Sequence, residues 1–327
     1  MNISVIGSGS WGIALSIYLA NQGNTIKVWS FDETEKNTIN QEKKCVFLPN
    51  IVLPEGIVCT NSYEEAIKDA EIILHVTPSK FTRSTIKGYK DFIQPDQILL
   101  MCSKGFEAET NLTLDEVIHE ELPNIKYGIL SGPSHAEEVA VGVPTALVVA
   151  SENDEVIKKV SNVFKSNLLR IYHTDDVKGV EIGGALKNII AFCAGAASGL
   201  NFGDNTFAML ATRGLVEITR LGIAMGGKSK TFYGLTGLGD LIVTCGSQHS
   251  RNRRAGELIA KGYSIEDAKK EIGMTIESID NIDVAYHLSQ KYQVEMPIVE
   301  TVYNVLYNQL DPKQAVDILM TRELKAE

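Results

Sequence analysis

Short apolar runs recur along the first half of the chain, separated by segments with helical spacing or turn residues. Six of these runs have the length of strands and are rich in branched aliphatic residues: Ile3–Ile6, Thr25–Trp29, Glu71–Val76, Gln97–Met101, Tyr127–Leu130 and Thr145–Ala150. Several are apolar at nearly every position, as expected for parallel strands that helices cover on both faces. The pattern predicts alternating strands and helices, with right-handed crossovers that make the sheet doubly wound.

The pattern changes near Asp176, where strand-like runs fade and helical spacing takes over. The segments predicted to be helices are Val177–Leu200, Asn205–Met225, Ile265–Ile272 and Ser278–Tyr292. We therefore predict an α/β fold with two domains. We expect residues 1–175 to form a Rossmann-like domain with a doubly wound sheet, and residues 176–327 to form an all-α domain.

Composition narrows the classes of function. Of the 327 residues, 44% are hydrophobic and 22% are charged, and no apolar stretch approaches the roughly 18 residues of a membrane helix. The formal charge of −10 repels nucleic acid and anionic membranes at long range. The cysteines are scattered without a Cys-x-x-Cys pair, and no basic, apolar leader precedes the first strand. We expect a cytoplasmic protein with a small-molecule substrate, no nucleic-acid partner and no membrane span, assembled as a homodimer.

Three glycines, in the pattern Gly7-x-Gly9-x-x-Gly12, lie between the first predicted strand and the helix after it. In a dinucleotide-binding turn the first glycine allows a tight bend, the second lets a pyrophosphate approach the backbone, and the third lets helix and strand pack closely. The N-terminus of the helix offers free N–H groups to the phosphates. Ser10 and Trp11 stand where they can touch the cofactor, so the segment predicts NAD or NADP.

The end of the second predicted strand, which commonly distinguishes NAD from NADP, reads Trp29-Ser30-Phe31-Asp32. Asp32 has two interpretations. Its carboxylate accepts a hydrogen bond from a ribose hydroxyl and disfavours a 2′-phosphate, or it begins a helix. No arginine stands nearby in sequence to hold such a phosphate. The segment favours NAD slightly.

Two further segments follow predicted strands, at the edge where open parallel sheets bind ligands. Lys104, within Cys102–Glu107, is placed for an anionic or hydroxyl-bearing substrate, whereas a solvated surface lysine is the alternative. Gly132 and Ser134 belong to the segment Ser131–Ala136. That segment forms either a rigid wall beside a nicotinamide ring or a structural turn.

Lys187 and Asn188 follow the pair Gly183 and Gly184 in an apolar, small-residue helix. Glycine in a helix interior costs about 1 kcal/mol relative to alanine, so we expect something to come close to the helix beside Lys187. Tight helix packing is the alternative, but it does not explain a buried lysine, because an unpaired charge is costly there. A desolvated lysine has a lowered pKa and can exchange a proton with a substrate oxygen near neutral pH.

The last candidate segment begins at Asp240, which shares a face with Thr244 if the segment is helical. The segment Arg251–Arg254 contains three arginines, the clearest cationic cluster in an acidic chain. One interpretation is an anion clamp, because the guanidinium fork suits phosphate oxygens and Asn252 adds a donor. The other is a solvated basic turn.

Together these motifs resemble those of NAD(P)-dependent glycerol-3-phosphate dehydrogenases of the bacterial type, along essentially the whole chain. The stretches that carry the resemblance are Gly7–Gly12, Phe47–Pro49, Lys104–Glu107, Ser131–Ser134, Gly183–Asn188, Gly237–Leu241 and Ser250–Arg254. The resemblance implies a Rossmann domain followed by a helical domain. It also implies reversible reduction of dihydroxyacetone phosphate to sn-glycerol 3-phosphate with NADH or NADPH, feeding phospholipid synthesis.

By position, the resemblance implies that Lys187 is the general acid and base. The residues implied to hold substrate are Lys104, Gly132, Ser134, Asp240, Ser250, Arg251 and Asn252, of which Lys104 and Arg251 also reach the cofactor. The residues implied to line the dinucleotide are Ser10, Trp11, Phe31, Ala136 and Glu277. The family varies at Phe31 and Ser134. The chemistry of the residues adds Asn188, which orients the substrate oxygen, and Thr244, which with Asp240 positions hydroxyls and the lysine.

Two alternatives come from other classes of protein. A β-hydroxyacid dehydrogenase also joins a Rossmann domain to a helical domain and uses a helical lysine, but its asparagine typically follows that lysine by four residues. Here Asn188 follows at once and residue 191 is an alanine. A non-catalytic dinucleotide sensor is the other alternative, although it has no need of Lys104, Lys187 and the arginine cluster together. The six histidines show no ligand spacing for a catalytic metal.

Overall fold

A computed structural model of the chain describes residues 1–323. Its strands are β1 (Asn2–Ile6), β2 (Thr25–Trp29), β3 (Ile57–Thr60), β4 (Ile72–His75), β5 (Ile98–Met101), β6 (Lys126–Ser131), β7 (Thr145–Ala150) and β8 (Leu169–Thr174). They form one sheet in the order β3-β2-β1-β4-β5-β6-β7-β8, in which every neighbouring pair is parallel except β6 and β7. This order confirms the predicted doubly wound, Rossmann-like sheet.

Two strands escape the sequence prediction, and one pairing differs from it. Both β3 and β8 lie at edges of the sheet and contain exposed residues, so neither shows a continuous apolar run. The apolar runs indicate parallel strands, and the exception is the pair β6 and β7, which is antiparallel. The physical reason is that the connection between them holds only a five-residue helix, which does not carry the chain back along the sheet.

The helices follow the strands in the first half and dominate the second. They are α1 (Ser10–Asn21), α2 (Glu33–Asn37), α3 (Tyr63–Ile67), α4 (Thr82–Tyr89), α5 (Leu114–Glu121), α6 (Ala136–Ala140), α7 (Asp154–Phe164), α8 (Val177–Gly199), α9 (Asp204–Ala224), α10 (Ser229–Phe232), α11 (Asp240–Gly246), α12 (Arg251–Ala260), α13 (Ile265–Ile272), α14 (Glu277–Lys291), α15 (Pro297–Tyr307) and α16 (Pro312–Met320). The four helices predicted from the sequence correspond to α8, α9, α13 and α14, with ends within one residue.

The chain divides into two compact units. The first comprises Met1–Glu107 and Leu112–Glu181 and contains the whole sheet, while the second comprises Ala108–Asn111 and the chain from Ile182 onward. The division falls within α8, so this one helix belongs to both units. The sequence pattern changes at Asp176, one residue before that helix begins.

Helix α8 is the only helix of the described residues that is long and apolar enough to cross a bilayer. Within its most apolar stretch, 94% of the residues are buried inside the protein. Burial of this extent is typical of a central helix of a globular core.

Glu217 of α9 is a buried carboxyl that holds the start of another helix. It accepts hydrogen bonds from the backbone N–H groups of Ile298 (2.8 Å) and Val299 (3.2 Å), in the first turn of α15. Burial raises the pKa of Glu217 to about 7, although these two hydrogen bonds act in the opposite direction. The group therefore titrates near neutral pH in the folded protein.

Replacing Glu217 with glutamine is expected to flatten the dependence of stability on pH. Because the folded pKa lies above that of the unfolded chain, the stability contributed by this group is complete at acid pH and is lost as the pH rises through about 7. Between pH 5 and 8 the unfolding free energy of the wild type should therefore fall by about 2 kcal/mol more than that of Glu217→Gln. Urea unfolding at both pH values measures the difference. The exposed Glu271→Gln serves as control, and parallel pH dependences of wild type and Glu217→Gln would contradict the expectation.

Candidate functional site

The glycine-rich turn joins β1 to α1 where the strand order reverses, between β1 and β4. Gly7 has a φ of +125°, and a Cβ on it would lie 3.0 Å from the backbone of Val76. A Cβ on Gly12 would lie 2.1 Å from the carbonyl oxygen of Gly7. By contrast, a Cβ on Gly9 would meet nothing within 4 Å. Two of the glycines therefore allow close packing, and the middle one faces open space.

The residues of this turn fit a dinucleotide. Gly9 is the N-cap of α1, so no side chain satisfies the first N–H groups of the helix beginning at Ser10. The indole Nε1 of Trp11 is buried and has no hydrogen-bond partner among the described residues. Open space at Gly9, uncapped backbone donors and the positive end of a helix dipole together suit a pyrophosphate.

Asp32, which follows the end of β2, begins a helix. This agrees with the second of the two interpretations of its role. Its Oδ1 accepts hydrogen bonds from the backbone N–H groups of Glu35 (3.0 Å) and Thr34 (2.6 Å), and these bonds hold the pKa of the carboxyl below its usual value. The carboxylate is thus the N-cap of α2. The neighbouring Phe31 is 81% exposed, so its ring is accessible to a ligand.

Three residues predicted to hold substrate meet at the carboxyl ends of β5 and β6. Lys104 Nζ donates to the carbonyl oxygen of Gly132 (3.1 Å), and Ser134 Oγ donates to the same oxygen (3.0 Å). Gly132 has a φ of +133°, which favours glycine. Lys104 is half-buried, and its contact with Gly132 argues against a solvated surface lysine.

Arg83 of α4 holds the loop that carries Lys104, and sequence reasoning missed it. Its Nε donates to Glu107 Oε1 (2.8 Å) and its Nη2 to Glu107 Oε2 (2.7 Å). This two-point ion pair fixes the last residue of the Lys104–Glu107 motif. Arg83 precedes Glu107 by 24 residues and belongs to a different element, so no local sequence pattern links it to the motif.

Ala136 lies at the start of α6 and belongs to the apolar core of the first unit. It is 8% exposed, and α6 packs against α1, the helix that follows the glycine-rich turn. This packing places α6 next to α1, the helix whose N-terminus suits a pyrophosphate.

In the second unit, Lys187 is buried on α8 and forms an ion pair. Its Nζ donates to Asp240 Oδ1 (2.5 Å) and to Thr244 Oγ1 (2.7 Å). Asp240 and Thr244 lie one turn apart on α11, as the sequence predicts for a helix. The buried carboxylate of Asp240 compensates the ammonium charge of the lysine. Thr244 Oγ1 donates in turn to the carbonyl oxygen of Asp240 (2.6 Å), which leaves a lone pair for Lys187.

The close approach expected at Gly183 is made by the protein itself. A Cβ on Gly183 would lie 3.2 Å from the carbonyl oxygen of Thr236 and 3.7 Å from Gly237 Cα. Both belong to the π-helical turn Leu235–Gly239, which leads directly into α11. Tight packing is therefore the reason for Gly183, and that packing brings the start of α11 to Lys187.

Asn188 and Asn252 are brought together. Asn252 Nδ2 donates to Asn188 Oδ1 (3.0 Å), and Asn252 Oδ1 accepts from the backbone N–H of Ser278 (2.9 Å). Ser278 directly follows Glu277, the first residue of α14. Asn252 thus joins α8, α12 and α14. Part of its hydrogen-bonding capacity, which the sequence assigns to an anion, stabilises the fold instead.

Helices α8 and α12 approach closely through two glycines. A Cβ on Gly195 would lie 1.8 Å from the carbonyl oxygen of Arg253, and one on Gly256 would lie 1.9 Å from that of Phe192. Neither position tolerates a side chain while the helices keep this distance. These glycines therefore place Asn252 within reach of Asn188.

The arginine cluster does not form a separate basic loop. It forms the first helical turn of α12. Ser250 is the N-cap, and its Oγ accepts from the backbone N–H of Arg253 (3.2 Å). The guanidinium of Arg253 donates to Gln248 Oε1 (3.0 Å) and to Ser198 Oγ (3.1 Å). Arg254 is exposed. Within the candidate anion clamp, Arg251 is the first residue of the helix, whose N-terminus itself attracts anions.

Comparison with known proteins identifies the family. Residues 2–157 match the model described as NAD-dependent glycerol-3-phosphate dehydrogenase N-terminus, and residues 176–317 match the model of its C-terminus. The glycerol-3-phosphate dehydrogenase (NAD(P)+) of Fusobacterium nucleatum is 50% identical over 331 residues, which cover 100% of this chain and 98% of that protein. The protein of the same name from Clostridium perfringens is 47% identical over 326 residues, covering 99% of this chain and 98% of that one.

A solved structure agrees with these relatives. The glycerol-3-phosphate dehydrogenase of Coxiella burnetii superposes with a TM-score of 0.95 at 37% sequence identity, over 98% of this chain and 99% of that chain. The resemblance read from the motifs is confirmed along both units. The chain belongs to the NAD-dependent glycerol-3-phosphate dehydrogenase family.

Proposed function

We propose that this chain reversibly reduces dihydroxyacetone phosphate to sn-glycerol 3-phosphate with NADH or NADPH, and that it does so in the cytoplasm in support of glycerophospholipid synthesis. The observation that carries the proposal is the buried ion pair of Lys187 and Asp240, within a chain whose relatives bear the name of this activity. A buried lysine with a carboxylate and a hydroxyl on its Nζ is equipped to move a proton.

The glycine-rich turn is the central element of the proposed cofactor site. The turn Gly7–Gly12 holds the pyrophosphate on its backbone N–H groups, with Ser10 and Trp11 at the start of α1. The side chain of Phe31 and the segments at Ala136, Lys104, Arg251 and Glu277 contact the rest of the dinucleotide. When bound, the nicotinamide supplies the hydride. Residues 1–175 are accordingly proposed as the nucleotide-binding domain, and residues 176–327 as the substrate domain of a homodimer.

Lys187 is proposed as the general acid of the reduction and the general base of the oxidation. Negative charge develops on the carbonyl oxygen of the substrate when its carbon is reduced, and the ammonium donates a proton to that oxygen. Asp240 favours the charged form of the lysine, and Thr244 fixes the position of Nζ. Asn188, held by Asn252, orients the substrate oxygen.

The phosphate of the substrate is proposed to bind at the N-terminus of α12. Ser250, Arg251 and Asn252 lie there, and the helix dipole adds attraction for an anion. Lys104, Gly132 and Ser134 are proposed as further contacts of the substrate, because they meet at the edge of the sheet where ligands bind.

Replacing Arg251 with alanine is expected to raise the KM for dihydroxyacetone phosphate about 10-fold to 100-fold, because a charge-assisted hydrogen bond to phosphate is lost. The value of kcat should fall less. Steady-state kinetics at saturating NADH measures both constants. The control is Arg254→Ala, an exposed arginine of the same helix, for which no change is expected. An unchanged KM in Arg251→Ala would remove this side chain from the phosphate site.

The proposed reaction is tested by mixing the purified protein with NADH or NADPH and following the loss of reduced nicotinamide. Dihydroxyacetone phosphate should cause rapid oxidation, and dihydroxyacetone without phosphate should cause little, since the anion-binding groups then have no partner. The product is identified as sn-glycerol 3-phosphate by a stereospecific assay. Equal rates with the two ketones, or no oxidation with either, would contradict the proposal.

A further inference from the structure

Glu35 of α2 joins the glycine-rich turn to the end of β2. Ser8, which lies between Gly7 and Gly9, donates its hydroxyl to Glu35 Oε2. Ser30, which follows β2, donates its hydroxyl to the same oxygen (2.7 Å). The two hydroxyl oxygens lie 2.9 Å apart, and both serines are buried. The carboxylate is therefore held at a defined position between the turn and the strand end.

Only one oxygen of this carboxylate is used by the protein. Within residues 1–323, Oε1 of Glu35 accepts no hydrogen bond, and neither oxygen forms an ion pair. A partly buried carboxylate without a cation is costly unless further donors reach it. The second oxygen is thus suited to a neutral donor such as a ribose hydroxyl.

The other polar groups of this region do not take that role. Asp32 uses its Oδ1 as the N-cap of α2, and Phe31 carries no charge. Lys44 is the cation among the residues that line a small pocket with Ser8 and Glu35. Its side chain is 59% exposed and its Nζ lies 3.9 Å from Glu42 Oε2, so solvent and a neighbouring carboxylate weaken its attraction for an anion.

We propose that Glu35 makes this enzyme selective for NADH over NADPH. In sheets of this topology the adenosine ribose lies at the end of the second strand, where an acidic side chain accepts from its 2′-hydroxyl. Here a serine occupies the strand end, and the carboxylate comes from the following helix and is fixed there by Ser8 and Ser30. Glu35 Oε1 accepts from the 2′-hydroxyl of NADH, and its charge repels the 2′-phosphate of NADPH. The inference rests on the proposed function only in requiring that the turn bind the dinucleotide.

The test compares binding of the two cofactors to the full chain, by isothermal titration calorimetry without substrate. The wild type should bind NADH at least about tenfold more tightly than NADPH, because like charges a few ångströms apart repel strongly in a partly buried site. Glu35→Gln should reduce this ratio by about tenfold, mainly through tighter binding of NADPH. Glu33→Gln is the matched control, since it removes the same charge from an exposed side chain of the same helix. It should leave the ratio unchanged.

Thermal unfolding establishes that each variant is folded. Glu35→Asp is the second variant, which keeps the charge but shortens the reach of the carboxylate. This variant should bind NADH more weakly than the wild type does, and its affinity for NADPH should stay low. Tighter binding of NADPH than NADH by the wild type, or an unchanged ratio in Glu35→Gln, would overturn the inference.

Activity assays separate this inference from the proposed function. Selective binding of NADH without reduction of dihydroxyacetone phosphate means that the proposed function fails while the role of Glu35 stands. Equal affinity for both cofactors together with rapid reduction means that the role of Glu35 fails while the proposed function stands. Failure to bind either nucleotide overturns both.

Discussion

Replacing Lys187 with alanine is expected to lower kcat for reduction of dihydroxyacetone phosphate at least about 100-fold, since a positioned general acid contributes 10²-fold to 10⁴-fold. Lys187 is 6% exposed, and its ammonium group pairs with the carboxylate of Asp240. The Kd of NADH should stay nearly unchanged, because Lys187 is not among the residues proposed to contact the dinucleotide. Steady-state kinetics and calorimetric titration with NADH measure the two quantities separately.

The loss of Lys187 also leaves Asp240 buried without its partner, and that effect needs its own control. Lys187→Met fills the volume of the side chain without the charge. The double variant Lys187→Met, Asp240→Asn removes both charges and should recover stability but not turnover. Wild-type turnover in Lys187→Ala would remove this residue from the chemistry.

Replacing Asp240 with asparagine is expected to lower the unfolding free energy by about 3–5 kcal/mol, because it leaves the ammonium of Lys187 buried without a counter-charge. Asp240 is 1% exposed, and the shape of asparagine is almost the same, so the loss reports on charge rather than on packing. Turnover should fall as well, since the carboxylate no longer holds Nζ in position. Urea unfolding and kcat are the measurements.

A double-mutant cycle decides whether this loss comes from the ion pair. If it does, the destabilisation in Lys187→Met, Asp240→Asn should be smaller than the sum of the two single effects. Additive effects would mean that the two side chains stabilise the fold independently. Thr244→Ser, which keeps the hydroxyl that accepts from Lys187, should behave like the wild type.

Most strands and the long helices could be predicted from the sequence because their signal is local. A buried parallel strand is apolar along its length, and β5, whose four residues are all apolar and buried, shows this plainly. The edge strand β8 is exposed at several positions, so its residues do not form such a run. The direction of β7 against β6 likewise depends on the path of the intervening chain and not on the residues of either strand.

The candidate site, like the fold, could be predicted from the sequence only where the signal is local. The residue types and the helical spacing of Asp240 and Thr244 are evident from the sequence, but Lys187 is separated from Asp240 by 53 residues. No short-range pattern joins them, and only the chemistry of the residues indicates that Asp240 and Thr244 position the lysine. Arg253 offers a second example, because only the packed structure shows that Gln248 and Ser198 engage its guanidinium.

The sequence by itself determined the class of fold, the glycine-rich turn and the kinds of side chain available for proton transfer and anion binding. These follow from residues within a few positions of one another, where backbone geometry sets the spacing. Tertiary structure alone brought the ammonium of Lys187 against the carboxylate of Asp240 and placed Glu35 between Ser8 and Ser30. Those contacts join residues distant in the chain, and they exist only where packed elements bring them within hydrogen-bond reach.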